Sequence, residues 1–184
     1  VALVKLGMSW GTTMKTKLPM CLLAIMVLIS LPRHYFYYTQ LPEVVATHFG
    51  ADGKPNDWMT RLNATLVVGG FQVLVPVFLV AVSWLAVRLP ASMLNIPNRE
   101  YWLQPDKKQA TLSHVRLMLS WIAVSTISLM AVMSHLVYLA NKDSQSLNMA
   151  LFGSALGVYL TIVFAIAIVS IQRFRLPKAD TQKA

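Results

Sequence analysis

The chain has 184 residues, of which 56% are hydrophobic and 12% are charged, and its mean hydropathy is +0.56. These values lie outside the usual range of soluble domains, so the composition indicates an integral membrane protein. The net charge of +9 would suit nucleic-acid binding, but anionic lipid headgroups and topology account for a basic surplus in a membrane protein, and we expect no nucleic-acid partner.

Four apolar segments each approach the roughly 20 residues that a helix needs to cross a bilayer. None alternates apolar with polar residues as a spanning strand does. The predicted fold is therefore an all-α integral membrane protein, an antiparallel bundle of four transmembrane helices. The predicted spans are 18–38, 62–87, 117–140 and 147–171, within a membrane domain at 18–171, with an outer loop at 39–61, an inner loop at 88–116, a cytoplasmic N-terminal segment at 1–17 and a basic tail at 172–184.

The distribution of Lys and Arg predicts the orientation. With the N-terminus inside, residues 1–17, 88–116 and 172–184 hold twelve of the 16 cations and three of the seven acids. The rest of the chain holds four of each, so the whole positive surplus is cytoplasmic, as the positive-inside rule requires. We therefore expect both termini to be cytoplasmic and the protein to lie in a bacterial inner membrane, in contact with anionic headgroups.

The chain begins with Val1, whereas Met14-Lys15-Thr16-Lys17 followed by an apolar run is typical of a bacterial start. We interpret residues 1–13 as a candidate artefactual extension. Pro32-Arg33-His34 stands where a signal peptide would carry small residues for cleavage, so we expect the run to remain as the first helix. Cys21 is the single cysteine, which excludes a disulfide within one chain.

The first segment contains two ionisable residues, Arg33 and His34, near its outer end. One interpretation places them inside the bundle, where an ionisable group usually marks a functional site. We favour the other, in which Arg33 extends to the headgroups and the aromatic residues 35–38 form an interfacial belt. The reason is that the loop begins just beyond them, at Gln40.

Two later segments contain residues that suit helix packing. A lone Gln such as Gln72 usually hydrogen-bonds a neighbouring helix, and Pro76 is tolerated where neighbours satisfy the freed carbonyl. Gly153 and Gly157 have the spacing that lets two helices approach closely. This pair would serve either packing within one bundle or a homodimer.

The outer loop combines polar, turn-forming and aromatic residues without helical or strand periodicity. Asp52-Gly53 is a turn signal in which Gly53 supplies a positive φ, and Pro55 favours extended geometry before it, so we expect a compact loop. Phe49 and Trp58 are expected to fold it onto the interface or the helix ends. The loop is then either a recognition surface or a lid.

The same loop resembles the module of unknown function at the front of SdpI-like membrane proteins, a family that includes immunity proteins against a secreted peptide toxin. The matching positions, over about residues 18 to 88, are Leu41-Pro42, Val45-Ala46, His48-Phe49, Gly53, Pro55, Asp57-Trp58 and Arg61, with Asn56 as a variation. The resemblance implies a stand-alone four-helix form. The ligand-recognition candidates are His48, Phe49, Asp52, Gly53, Pro55, Asp57 and Trp58.

The inner loop contains Asn95-Ile-Pro-Asn-Arg-Glu-Tyr-Trp-Leu103, which is similar to a cytoplasmic segment of many stand-alone members. It is either an interfacial segment, with aromatics at headgroup depth, or a docking surface for a soluble partner. Pro105 suits a first helical position, so residues 104–116 are expected to extend the third helix. The docking candidates are Asn98, Arg99, Glu100, Tyr101 and Trp102.

Metal and catalytic sites are not expected. His34, His48 and His135 lie on separate elements, and Lys54 would occupy a ligand position of a calcium loop. The chain has no nucleophile elbow, zinc-protease motif or phosphate-binding glycine loop. We therefore predict no enzyme, no metal and no cofactor.

Three functional hypotheses follow. The leading one is an SdpI-like protein that binds or neutralises an envelope-acting peptide through the outer loop and signals to a cytoplasmic partner through the inner one. The first alternative is an accessory subunit of a larger membrane complex, which packs through the face of Gly153 and Gly157. The second is a small transporter with Arg33, Gln72 and His135 along its pathway.

Overall fold

The computed structural model describes residues 10–86, 88–143 and 146–177. The candidate extension, residues 1–13, and the basic tail lie partly outside these ranges. The described residues form five helices and two strands, with a short 3-10 turn at Ala91–Met93 after α2. The elements are α1 (Trp10–Gln40), β1 (Val44–Phe49), β2 (Pro55–Thr60), α2 (Arg61–Ala86), α3 (Arg99–Trp102), α4 (Pro105–Lys142) and α5 (Met149–Arg173).

Four helical segments are long and apolar enough to cross a membrane, which confirms the predicted membrane class and number of spans. α4 begins at Pro105, so the expected extension of the third helix is also confirmed. Its length of 38 residues exceeds what a bilayer requires by several turns. The four segments are Lys17–Gln40, Arg61–Ala86, Pro105–Lys142 and Met149–Arg173.

The outer loop is a β-hairpin, so the prediction of a purely helical fold was wrong here. β1 pairs with β2 antiparallel, with Val44 opposite Thr60 and Ala46 opposite Trp58. The register shifts between Ala46 and His48, which leaves Thr47 as an extra residue on β1. This bulge interrupts the alternation of buried and exposed side chains, and the strand periodicity was therefore invisible in the sequence.

The core of the bundle lies between α1, α2 and α4. Ala123 and Ile127 of α4 are 0% exposed and pack with Leu23 of α1. Leu79 and Val80 of α2 cover the same cluster. α4 contacts α1, α2 and α5, whereas α5 packs mainly on α4 and keeps most of its apolar side chains exposed. α4 is therefore the central helix.

The tip of the hairpin is held against the segment before α5. Gly50 N–H donates to the Lys54 carbonyl over 2.8 Å, and Gly53 has φ of 79°, which confirms its expected role in the turn. The Gly53 carbonyl accepts a hydrogen bond from Leu147 N–H over 2.8 Å. A Cβ at Gly53 would lie 2.5 Å from the Leu147 carbonyl oxygen, so only glycine permits this approach.

Replacement of Gly53 by Ala should therefore destabilise the protein by about 1–3 kcal/mol, since both the positive φ and the contact with Leu147 oppose a side chain. Gly70→Ala is the matched control, because a Cβ at Gly70 of α2 meets nothing within 4 Å. Unfolding of both variants by denaturant in detergent micelles measures the difference. Equal stability of the two variants would contradict the close packing of the hairpin tip.

Candidate functional site

Arg33 lies inside the helix bundle, and the prediction that it extends to the headgroups was wrong. Its Nη1 donates to the Ala131 carbonyl over 3.0 Å, and its Nη2 donates to Gln72 Oε1 over 2.9 Å and to Ser134 Oγ over 2.8 Å. These acceptors belong to α2 and α4, so one α1 side chain joins three helices. Directed acceptors on the two neighbouring helices compete successfully with the headgroups for the guanidinium.

The acceptors of Arg33 are themselves deeply buried. Gln72 is 1% exposed and Ser134 is 5% exposed. The Ser134 hydroxyl lies 3.1 Å from the Ala131 carbonyl and 3.3 Å from Gln72 Oε1, so the polar atoms form one connected cluster. The prediction that the lone Gln of the second segment hydrogen-bonds a neighbouring helix is confirmed.

The charge of this cluster is not balanced by an acid among the described residues. The ion pairs found there join Lys54 to Asp52 and Lys107 to Asp106, all outside the cluster. The three acceptors of Arg33 are neutral. A partly buried guanidinium with neutral partners retains a net positive charge in surroundings that screen it less than bulk water does.

An aromatic layer lies next to this cluster. Tyr37 stacks on Tyr138 with ring centroids 4.1 Å apart, and its hydroxyl lies 2.8 Å from Nδ1 of His135. Tyr35 and Phe36 are exposed, as expected of an interfacial belt, whereas Tyr37 is buried against α4. The predicted belt is therefore divided between an exposed part and a part that packs within the bundle.

His34 also turns toward the bundle. Its Nδ1 donates to the Ser30 carbonyl over 2.8 Å. Gly69 of α2 permits this position, because a Cβ there would lie 3.1 Å from His34 Cδ2. The His34 side chain of α1 therefore packs against α2 rather than lying among headgroups.

Asn141 at the end of α4 attaches the hairpin to the bundle. Its Oδ1 accepts from Ala46 N–H over 2.6 Å, and its Nδ2 donates to the Ala46 and Val137 carbonyls, each over 2.9 Å. The side-chain amide thus acts as a short neighbouring strand and satisfies the free edge of β1. Phe49 adds an apolar contact with Leu136 and Leu147.

The remaining outer candidates divide between the turn and the exposed surface. His48 Nδ1 hydrogen-bonds Asn56 Oδ1, which gives the variant residue of the motif a structural role. The backbone N–H of Lys54 donates to the Asp52 carboxylate and, with the nearby ammonium, lowers the pKa of that carboxyl below its usual value. Asp57 accepts from the N–H of Trp58.

Trp58 does not fold onto the helix ends, as the sequence analysis allowed, but remains 52% exposed. All residues of β2 after Pro55 are exposed as well. Of the outer candidates, Asp57 and Trp58 therefore lie on a strand that faces solvent, with Pro55 only partly buried at its start. β1 beneath it is anchored by its buried residues Val45 and Ala46.

The inner candidates also divide into two groups. Asn98 Nδ2 and Trp102 Nε1 both donate to the Phe174 carbonyl, over 2.8 and 2.9 Å, so they cap the end of α5. Arg99 donates to the Ser92 carbonyl, Glu100 is exposed and the Tyr101 ring lies 3.7 Å from the Lys107 ammonium. An open groove of about 760 Å³ lies beside this second group.

Gly153 and Gly157 are exposed, and a Cβ at either position would meet nothing within 4 Å. They therefore provide no close helix packing within the described chain. Across the described ranges, no three His, Cys, Asp or Glu side chains come together as ligands for a metal ion.

Sequence reasoning missed three residues of this arrangement. In the sequence, Ser134 is one of many small polar residues in the third segment, and Asn141 stands where a loop is expected to begin. Thr47 was missed because the bulge interrupts the strand pattern around it. Only Asn141 carried a usable signal, because an amide directly after an apolar run is well placed to bind the backbone of a neighbouring loop.

The four apolar helices and the polar cluster between three of them define a multi-pass membrane protein. Residues 21–73 match the family described as Domain of unknown function (DUF1648). This match covers most of α1, the hairpin and the first half of α2, and so includes Arg33 and Gln72. No curated protein matches the chain. No solved structure matches it either.

Replacement of Asn141 by Leu should loosen the hairpin, because it leaves the buried N–H and C=O of Ala46 without partners. Two lost hydrogen bonds correspond to about 1–3 kcal/mol. Hydrogen exchange at the amides of β1 should rise, while exchange in the middle of α4 stays unchanged. Asn63→Leu, at an exposed position next to the hairpin, is the control. Unchanged exchange in β1 would contradict the attachment.

Proposed function

We propose that the protein is an SdpI-like membrane protein that binds an envelope-acting peptide through its outer hairpin. The single observation that supports this proposal is that β1 is attached to the bundle, whereas β2 is exposed to solvent. A rigid surface loses little conformational entropy on binding. The match of residues 21–73 to DUF1648 supports the resemblance on which the ligand class rests.

The proposed topology places both termini in the cytoplasm of a bacterium and the helices antiparallel. The cation distribution supports it, since residues 88–116 and 172–177 are rich in Lys and Arg. The hydrogen bonds from Asn98 and Trp102 to the Phe174 carbonyl agree with the inner loop and the C-terminal segment lying at the same end of the bundle. The contacts of the hairpin with Asn141 and Leu147 agree with the other end being outside.

Trp58 is the proposed anchor for the peptide. It is aromatic, exposed and central in β2, and aromatic anchors contribute most to binding at protein interfaces. Its neighbour Asp57 adds a negative charge that suits a cationic peptide. Arg61 is directed away, because it donates to the Leu41 carbonyl and lies over the Tyr38 ring. Because neighbouring side chains alternate along a strand, β2 presents the Trp58 ring on one exposed face and the Asp57 carboxylate on the other.

A specific observation supports the accessory-subunit alternative. The face of α5 with Gly153 and Gly157 is open and apolar, and Leu156 and Leu160 lie exposed on the same helix. A partner helix, or a second copy, would fit there. The transporter alternative lacks such support, since Gln72 is 1% exposed and its Oε1 accepts hydrogen bonds from Arg33 and Ser134.

The test uses sensitive bacteria that express the chain and are challenged with the peptide toxin of the SdpI-like immunity system. Expression should increase survival, and Trp58→Ala should reduce protection about tenfold or more, since an aromatic anchor that becomes buried in the complex contributes about 2 kcal/mol. Trp84→Ala is the matched control, because Trp84 at the other end of α2 is 53% exposed against 52% for Trp58.

Equal accumulation of the variants is checked by immunoblot of membranes. Recognition by β2 would be contradicted if Trp58→Ala and Trp84→Ala lost protection equally. It would also be contradicted if neither variant lost protection.

A further inference from the structure

One edge of the hairpin is closed by the bundle. The N–H and the C=O of Ala46 both hydrogen-bond the Asn141 side chain, over 2.6 and 2.9 Å, and so point away from β2. Arg61 N–H donates to the Glu43 carbonyl over 2.7 Å, so this pair is bonded across the hairpin. Opposite residues of an antiparallel ladder alternate between these two kinds of pair. The two observations agree on one pattern along the hairpin.

The same alternation determines what lies on the far edge of β2. Ala46 is opposite Trp58, and Val44 is opposite Thr60. Because neither pair is bonded across the hairpin, the N–H and C=O of Trp58 and the N–H of Thr60 point away from β1. Among the described residues, the sheet consists of these two strands. The far edge of β2 is therefore open to a further strand.

One carboxylate protects this edge. Asp57 Oδ1 accepts the N–H of Trp58 over 2.8 Å. Charged side chains often protect an exposed edge against pairing with the wrong strand. Asp57 is exposed, and the ion pairs found among the described residues involve Asp52 and Asp106 instead. It can therefore release the Trp58 N–H to another acceptor and pair with an incoming cation.

We propose that an extended basic segment of the peptide binds as a third strand along the far edge of β2. This inference deepens the proposed function and rests on it for the class of ligand. A carbonyl of the ligand replaces the Asp57 carboxylate at the Trp58 N–H, and ligand N–H groups donate to the outward carbonyls of β2. In strand addition, main-chain hydrogen bonds provide affinity and alternate side chains provide specificity.

The two faces of β2 define the sequence of the ligand. Side chains alternate along a strand, so Trp58 lies on one face, and Asp57 and Met59 lie on the other. A ligand matches both faces if an apolar residue lies opposite Trp58 and a Lys or Arg lies on either side of it. We therefore expect alternating basic and apolar residues in the bound segment.

A second copy of the chain suits this edge less well than a basic peptide. β2 consists of Pro-Asn-Asp-Trp-Met-Thr and contains no cation. Pairing of β2 with another β2 would leave both Asp57 carboxylates without an ion-pair partner. With the two Trp58 residues opposite each other, both carboxylates would also lie on the same face, where like charges repel. A basic peptide instead neutralises the acid.

The experiment measures binding of a fluorescently labelled peptide, acetyl-Lys-Val-Lys-Val-Lys-Val-Lys-amide, to the full chain in uncharged detergent micelles. Fluorescence anisotropy gives the affinity, and empty micelles give the baseline. Methyl groups on the three valine amides should weaken binding about tenfold or more, because these N–H groups face β2. Methyl groups on three lysine amides, which lie on the opposite edge of the ligand, should be tolerated.

Two variants of β2 locate the bound peptide. Thr60→Pro removes an outward N–H and should weaken binding about fivefold to tenfold, as expected for one hydrogen bond, whereas its control Thr60→Val keeps this N–H and the native affinity. Asp57→Asn keeps an acceptor beside Trp58 but loses the charge, and should weaken binding about twofold to fivefold. Asp106→Asn is its control, because Asp106 is an exposed acid outside the hairpin.

Strand addition would be overturned if the two methylated peptides bound equally, or if the unmethylated peptide showed no saturable binding. A dimer of the chain that excludes the peptide would also overturn it and assign the edge to a second copy. If Thr60→Pro fails to fold, the methylated peptides still decide the question. The survival assay tests the proposed function separately: protection without a difference between the methylated peptides would remove strand addition alone.

Discussion

The hydrogen bonds of one half-buried positive charge, that of Arg33, determine how α1, α2 and α4 fit together. A guanidinium within the membrane bundle is stable only where directed acceptors replace water. Gln72, Ser134 and the Ala131 carbonyl provide these acceptors from two other helices. Apolar packing around Ile127 tolerates small shifts of register, but three hydrogen bonds to one planar group do not.

The same face of α4 continues from this cluster to the hairpin. Ser134, Tyr138 and Asn141 follow at spacings of four and three residues, so they lie above one another on one side of the helix. Their partners are Arg33, the Tyr37 ring and the Ala46 backbone, in the same order. One side of α4 therefore positions both the bundle-facing side of α1 and the strand β1. The exposed strand β2 is held in place through its pairing with β1.

Much of the architecture could be predicted from the sequence, because span length and apolar character depend on local composition. The four spans, the Gly53 turn and the start of α4 at Pro105 all follow from such local rules. The position of the Arg33 side chain could not be predicted, because the same long, flexible side chain can either extend to the headgroups or turn into the bundle. The choice depends on acceptors about 40 and 100 residues away in the chain.

The hairpin escaped prediction for a related reason. Its pattern of exposure is broken by the bulge at Thr47, and its stability depends on Asn141 from a distant helix. For the candidate site, the motif did not separate exposed residues from those that hold the structure together. Trp58 is displayed, whereas Asn98 and Trp102 are occupied with the end of α5.

The central claim is that Arg33 and Gln72 form one hydrogen-bonded unit between α1 and α2, and a double-mutant cycle tests it most directly. The free energy of unfolding is measured for the native chain, Arg33→Gln, Gln72→Leu and the double variant in the same micelles. The account predicts a coupling energy of about 1–3 kcal/mol, since each single change already breaks the Arg33–Gln72 hydrogen bond that the second change would otherwise remove. Effects that add within about 0.5 kcal/mol would show that Arg33 lies at the membrane interface instead.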